Sequence, residues 1–413
     1  MVKFSRYALG NGLRVLIHKD ESTPMAAVSL LYKVGSKDES PDKTGFAHLF
    51  EHLMFSGTKN VPDYDEPIQK AGGENNAFTN TDITNFYNIV PVENLETIFY
   101  LEADRMESLN INQKKLEVQQ KVVVEEFKET CLNVPYGDSW HQISSLAYQK
   151  HPYQWPTIGK IPEHVEQANL SEVKEFFKNY YCPNNAILVV AGNVDETEVM
   201  KMVIKWFGEI PRSPVVKRAI PVEPTQDIYR ELINKNEVPS RSLNLAFHSP
   251  GRLDPDYYAS DLLSDLLCNG GSSRLYRKLF KEQNIFNEID AYISGYVDPG
   301  LLIIEGQPSD EVSSEAAEQA IWDELEQIKK EGISTKELQK LKNKIETVTV
   351  FGEMSVMNKA INLAYYEMLG DANRINEEVK NYQSVSVDDF NRVAKEILKR
   401  SNCSKVVYTN ARS

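Results

Sequence analysis

GFAHLFEHLMFSG, residues 45–57, holds two of the chain's seven histidines with a glutamate between them. Phe46, Leu49, Phe50, Leu53 and Met54 fall at i, i+3, i+4, i+7 and i+8, the repeat of a single apolar stripe on a helix. At about 100° per residue, His48, Glu51 and His52 take the opposite arc. Thr44 is the expected N-cap and Gly57 the expected stop. Such a helix has one side for a core and another built from two imidazoles and a carboxylate.

Histidines one turn apart can direct nitrogens at a single point, the spacing that a tetrahedral zinc ion requires. Zinc lowers the pKa of a bound water to about 7 and polarises a carbonyl oxygen. Glu51, beside the metal without binding it, is placed to take the proton from that water and pass it to a leaving amine. One histidine on a solvated face would carry no such reading, but the full H-x-x-E-H spacing opposite a clean apolar stripe does. A third ligand is needed. KKLEVQQKVVVEEFKE, residues 114–129, offers Glu125 and Glu126 on what reads as a long helix, although the Val122–Val124 run alone would suit a strand. The residues themselves leave the choice between the two glutamates open. Two imidazoles and one carboxylate also hold manganese or cobalt, so one Zn2+ per chain is the expectation from donor type.

At 413 residues the chain exceeds one ordinary core, so two domains or more are expected. Hydrophobic residues at 41% and charged residues at 26% are the balance of a folded protein. A net charge of −14 argues against a general affinity for nucleic acid or an anionic membrane. A local basic patch stays open, and the acidity reads more readily as solubility than as a preference for basic substrates. Cys131, Cys182, Cys268 and Cys403 are scattered and read as reduced, mostly buried thiols. MVKFSRYALGNGLRVLIHKD has no apolar segment of signal-peptide length, and runs such as AILVVAG are too short to span a bilayer. A cytoplasmic location is expected, or a periplasmic one if a signal segment has been removed. The histidines at 18, 141, 151, 164 and 248 have no motif around them and read as surface or packing residues.

The chain reads as two similar halves. LGNGLRVLIHKD and MAAVSLLYKVGS are strand patterns, helical patterns follow at about 44–57, 64–71, 92–107 and 112–131, and LSEVKEFFKNYY leads into the strand AILVVAGNV. After residue 225, SLNLAFHSPG and GLLIIEGQ read as strands, YYASDLLSDLL and SSRLYRKLFKEQ as helices, and VDDFNRVAKEILKRS runs into SKVVYTN. Each half ends with an amphipathic helix and a short apolar strand, so a duplicated α+β unit is expected, each a mainly antiparallel sheet packed with helices. IPRSPVVKRAIPVEPTQ, with four prolines, is the linker candidate. The expected division is a metal-binding domain at 1–212, a linker at 213–226 and a homologous domain without metal at 227–413.

GFAHLFEHLMFSGT, AGGENNAFTNTDITNFY, HPYQWPTIGKIPEHVEQANLSEVKEFFKNYYCPNNAILVVAGNVD and NGGSSRLYRKL together resemble the pitrilysin, insulin-degrading and mitochondrial processing peptidase superfamily over nearly the whole chain. The resemblance implies a half clam-shell of two such domains. It implies zinc ligands at His48, His52 and Glu126, with 73 residues between the last two, and the general base at Glu51. It favours Glu126 over Glu125, and it implies that substrate binds as an added strand through backbone groups around Asn76, Ala77 and Phe78.

Two positions depart from the family's pattern. Gln119 stands where many active relatives have a glutamate, which weakens any electrostatic contribution there. The arginine and tyrosine that hold substrate and oxyanion are replaced by Phe280 and Asn287, and loss of one such donor typically costs about 10²–10³ in rate. Arg274 and Arg277 do not restore the seven-residue spacing, while Tyr292 and Tyr296 stay open as substitutes. The resemblance implies a division of labour in which this chain is the zinc subunit of a heterodimer and a homologous partner without zinc supplies the pair; a homodimer is the other arrangement. The expected function is hydrolysis of extended or unfolded peptides in a closed chamber. The competing readings are a structural subunit of the core-protein type, which predicts damaged zinc ligands, and hydrolysis of small acyl compounds, which has no use for an added-strand edge.

Overall fold

The computed structural model describes residues 1–214 and 219–410. Residues 215–218 of the expected linker lie outside the described residues. The strands among the described residues form two sheets. The first has the order β1 (Ser5–Ala8), β2 (Arg14–Lys19), β6 (Ala186–Gly192), β3 (Met25–Tyr32), β5 (Thr84–Pro91) and β4 (Glu74–Thr79). The second has the order β7 (Arg230–Asn236), β11 (Cys403–Asn410), β8 (Ser242–Ser249), β10 (Gly300–Pro308) and β9 (Phe286–Ile293).

Apart from β1, the sheets have one topology. β2 and β6 are parallel and all later neighbours antiparallel; likewise β7 and β11 are parallel and the rest antiparallel. This is the duplicated α+β architecture expected from the repeat of helix and apolar strand. Helices also form where the periodicity puts them, at Phe46–Phe55, Asp65–Lys70, Leu95–Ser108 and Gln113–Phe127. Among the described residues no helix is long and apolar enough to cross a membrane and none of the four cysteines forms a disulfide, with Cys182, Cys268 and Cys403 buried.

The chain does not divide at a single point. Within the described residues, one compact unit is built from 1–127, 155–214, 219–220 and 349–378, and the other from 128–154, 221–348 and 379–410. The strands of the first sheet all precede residue 193 and those of the second all follow residue 229, and each half lends a helical segment to the other unit. The reason lies in the strands. Even-numbered residues of β3 and β6, such as Val28, Leu30, Leu188 and Val190, enter the main core. Their odd-numbered neighbours Ala27, Leu31, Ile187 and Val189 are equally buried and, by alternation, face the other way. That second face packs against the helix Val356–Met368, in which Ala360, Leu363 and Ala364 are fully buried. In the other unit the helix Ser139–Ala147 plays the same part, with Ile143 and Ala147 clustered on Ala246, Ile303 and Val406. Both sheets are thus covered on both faces, which is why AILVVAG is an unbroken apolar run.

The borrowed helix is also held by charge. Lys359 meets Asp20 at 2.5 Å, and Glu367 accepts from both Arg6 (2.9 Å) and Arg14 (3.2 Å).

Candidate metal centre

The helix Phe46–Phe55 buries Phe46, Leu49, Phe50, Leu53 and Met54, the predicted stripe, together with Ala47. Phe50 stacks on Phe176 and Tyr181 with ring centres 5.3 and 5.0 Å away. The helix ends at Ser56, and Gly57 takes φ 84°, where a Cβ would stand 2.1 Å from the Pro62 carbonyl oxygen, so the predicted stop needs glycine. The predicted start differs. Gly45, not Thr44, is the N-cap, with φ 87° and a Cβ position 2.9 Å from the Ile158 carbonyl oxygen. The Thr44 hydroxyl instead accepts from the Lys160 N–H at 2.7 Å and pairs with His164 Nδ1 at 2.9 Å. Capping of the helix falls to Glu39, whose two carboxylate oxygens accept from Gly45 N–H (2.9 Å) and Ala47 N–H (2.8 Å). Sequence reading missed Glu39. It stands six positions before the cap, beyond the one-to-three-residue offsets by which caps are recognised.

His48, Glu51 and His52 are half-buried on the face away from the core stripe. The neighbouring helix Gln113–Phe127 brings Glu126 to them. Its carboxylate oxygens lie 3.6 Å from His48 Nε2 and 3.3 Å from His52 Nε2, and one ligand atom from each of the three residues falls within 4.8 Å of the others. Ligands about 2.0–2.2 Å from a tetrahedral zinc stand roughly 3.3–3.6 Å apart, so the two contacts to Glu126 already have that spacing. The donor set of two imidazoles and a carboxylate fits zinc. Glu125 is exposed and outside this group; Val123, Val124 and Phe127 are buried, and that packing turns the helix so that Glu126 faces the histidines.

Burial lowers the pKa of His48, partly opposed by the negative charge of Glu126. The His52 hydrogen bond outweighs burial at Glu126 and holds its carboxyl below the usual range. Both shifts favour what a metal requires, a neutral imidazole and an ionised carboxylate. Glu51 contributes a negative charge beside His48. Gln119, half-buried, lies seven residues before Glu126 and shares its helix face to within about 20°.

The helix carrying His48 also packs on β4, which is the edge of its sheet. Asn76, Ala77 and Phe78 pair with Tyr87, Phe86 and Asn85 of β5, leaving the other edge of β4 without a strand among the described residues. The Ala77 N–H donates to its neighbour's side chain, Asn76 Oδ1, at 2.8 Å.

In the second unit, Phe280 lies in a π-helical stretch, Tyr276–Glu282, stacked on Tyr276 at 4.8 Å and packed against that unit's core. Asn287 is exposed at a bulge of β9, where it accepts from the Ser309 hydroxyl at 3.4 Å. Tyr292 donates to Glu305, the Tyr296 ring packs on Tyr153 at 4.4 Å, and Arg274 is held by Glu337 at 2.8 Å.

Residues 14–160 match the family described as insulinase (peptidase family M16), and residues 167–345 match the peptidase M16 inactive domain. The zinc protease PqqE of Helicobacter pylori is 30% identical over 412 residues, 98% of this chain and 92% of that one. The chain belongs to the M16 peptidase family. His48, Glu51, His52 and Glu126 all lie within the part matching the insulinase description, not within the M16 inactive domain. An uncharacterized zinc protease of Bacillus subtilis, YmxG, is 25% identical over 95% of both chains. Among solved structures, a Helicobacter pylori protease superposes with TM-score 0.93 at 29% identity, covering 99% of this chain and all of that one. Pitrilysin shares the fold at TM-score 0.79 and 20% identity, and the M16 unit seen here spans 45% of it.

Proposed function

We propose that this chain is a zinc-dependent endopeptidase acting on extended or unfolded peptides. The reading is carried by one observation: ligand atoms of His48, His52 and Glu126 lie within 4.8 Å of one another, and the helix that carries the two histidines also packs against an open sheet edge. The bound metal would supply a water acidic enough to ionise near neutral pH and a positive charge for the scissile carbonyl oxygen. Glu51 takes the proton from that water and returns it to the leaving amine. The free edge of β4 around Asn76, Ala77 and Phe78 aligns the peptide as an added strand, and because backbone pairing ignores side chains, sequence preference is loose. Gln119 can hydrogen-bond but cannot carry the charge of a glutamate.

Phe280 has no polar donor, and Asn287 has an amide but neither the charge of an arginine nor the reach of a tyrosine hydroxyl. The chain is therefore the catalytic member of a heterodimer, with a homologous partner lacking zinc supplying an arginine and a tyrosine. Turnover of a quenched fluorescent peptide by the zinc-loaded chain, alone and mixed with such a partner, tests both levels. Activity that appears with the partner and vanishes in Glu51→Gln supports the whole reading. Full activity of the chain alone removes the heterodimer, and a mixture that is inert with zinc bound removes the peptidase.

A further inference from the structure

Glu39 is 2% exposed and has no lysine, arginine or histidine partner among the described residues. Burial pushes its carboxyl up to about 8, while the Ala47 and Gly45 N–H groups pull the other way. A buried carboxyl group without a cation is costly to ionise and needs hydrogen-bond donors for its oxygens. Its two oxygens accept from the first turn of the helix that carries His48, Glu51 and His52, at Gly45 and at Ala47, the residue before the first ligand, and the Trp155 indole also favours the ionised form. This is the positive end of the helix, which favours acceptor oxygens and offsets part of the cost of ionising the group. The same turn is also closely approached by Gly159, whose Cβ would stand 3.2 Å from Gly45 Cα, and Thr44 just before it accepts from the Lys160 N–H.

We propose that Glu39 is a positioning residue for the metal centre: it fixes the rotation of the His48 helix about its own axis and so keeps both imidazoles aimed at the Glu126 carboxylate. The need follows from geometry. Side-chain tips stand about 5–6 Å from a helix axis, so a rotation of about 10° moves them roughly 1 Å. Metal–ligand distances tolerate only about 0.2 Å. The apolar stripe sets this angle only to within what packing allows, and the two N–H bonds to one carboxyl group add a directional constraint at the end of the helix nearest His48.

The proposal rests on His48, His52 and Glu126 being metal ligands, and the experiment separates the two. Zinc and cobalt(II) affinities of the full chain are measured by chelator competition for wild type and Glu39→Gln, with the visible absorption of the cobalt form and the unfolding of the metal-free form recorded beside them. Glutamine keeps the size but has one acceptor oxygen for two N–H donors. Zinc affinity is expected to fall about 10–100-fold, as for lost outer partners of metal ligands, with altered cobalt bands and cooperative unfolding retained. Equal affinity and an unchanged cobalt spectrum overturn the proposal while leaving the metal centre standing. A wild type that takes up neither metal overturns the metal centre and the proposal with it. Should Glu39→Gln not fold, hydrogen exchange of the metal-free wild type decides: Gly45 and Ala47 amides protected like the helix interior support the clamp, and solvent-like exchange at both overturns it.

Discussion

Leu363 tests how the metal-binding unit is assembled. It belongs to the second half of the sequence, yet it is fully buried on the helix that covers the outer face of β3 and β6. Leu363→Ala removes three carbons, about 2.4 kcal/mol at roughly 0.8 kcal/mol per buried CH₂. The surrounding β-sheet cannot collapse into the space, so a cavity contribution brings the expected loss to about 3–5 kcal/mol. That is a large share of a typical domain's stability of about 5–15 kcal/mol. Denaturant unfolding gives the size, and hydrogen exchange by peptide gives the place. Protection is expected to fall in β3, β6 and the His48 helix. Ile143→Ala, on the helix lent in the other direction, is the matched control and is expected to loosen β8, β10 and β11 instead. A loss below about 1 kcal/mol for Leu363→Ala, against the usual range for buried leucine, or protection lost only in the second sheet, would refute the exchange of helices.

Other consequences follow from the same packing and chemistry. A chain ending at residue 212 lacks the helix Val356–Met368 and is expected to aggregate, since Ala27, Leu31, Ile187 and Val189 would face water; a monodisperse, cooperatively unfolding fragment would contradict this. Glu126→Gln is expected to weaken zinc binding by more than about 100-fold, beyond the loss typical of an outer partner, while Glu125→Gln leaves it unchanged; isothermal titration distinguishes them. Burial opposes ionisation of Asp20, but bonds from Lys359 and Ser22 outweigh it and hold its pKa well below the ordinary carboxylate range. Its contribution is then fully present above the unfolded value of about 3.8 and is lost as pH falls below it. Lys359→Gln should lower stability at neutral pH and flatten the acid limb of the stability curve. Ala77→Pro removes one edge N–H and is expected to cut peptide kcat/KM about tenfold, the effect of one hydrogen bond, with zinc content unchanged.

Sequence alone determined the elements whose signal is local. The stripe of residues 46–54 fixed the helix and the side on which His48, Glu51 and His52 stand, because 3.6-residue periodicity is written in neighbouring positions. The paired helix and apolar strand closing each half announced the duplication that the matching sheet orders display. Only tertiary structure decided the rest. Glu125 and Glu126 were equivalent by residue type until the burial of Val123, Val124 and Phe127 set the helix rotation. Thr44 had the chemistry of an N-cap, but its hydroxyl was claimed by Lys160 and His164, and a glutamate from an earlier turn took the work. The exchange of helices was invisible for a similar reason. An apolar strand face declares that something must cover it, but hydrophobic burial has no direction or partner code, so which helix does so is settled only when the chain is folded.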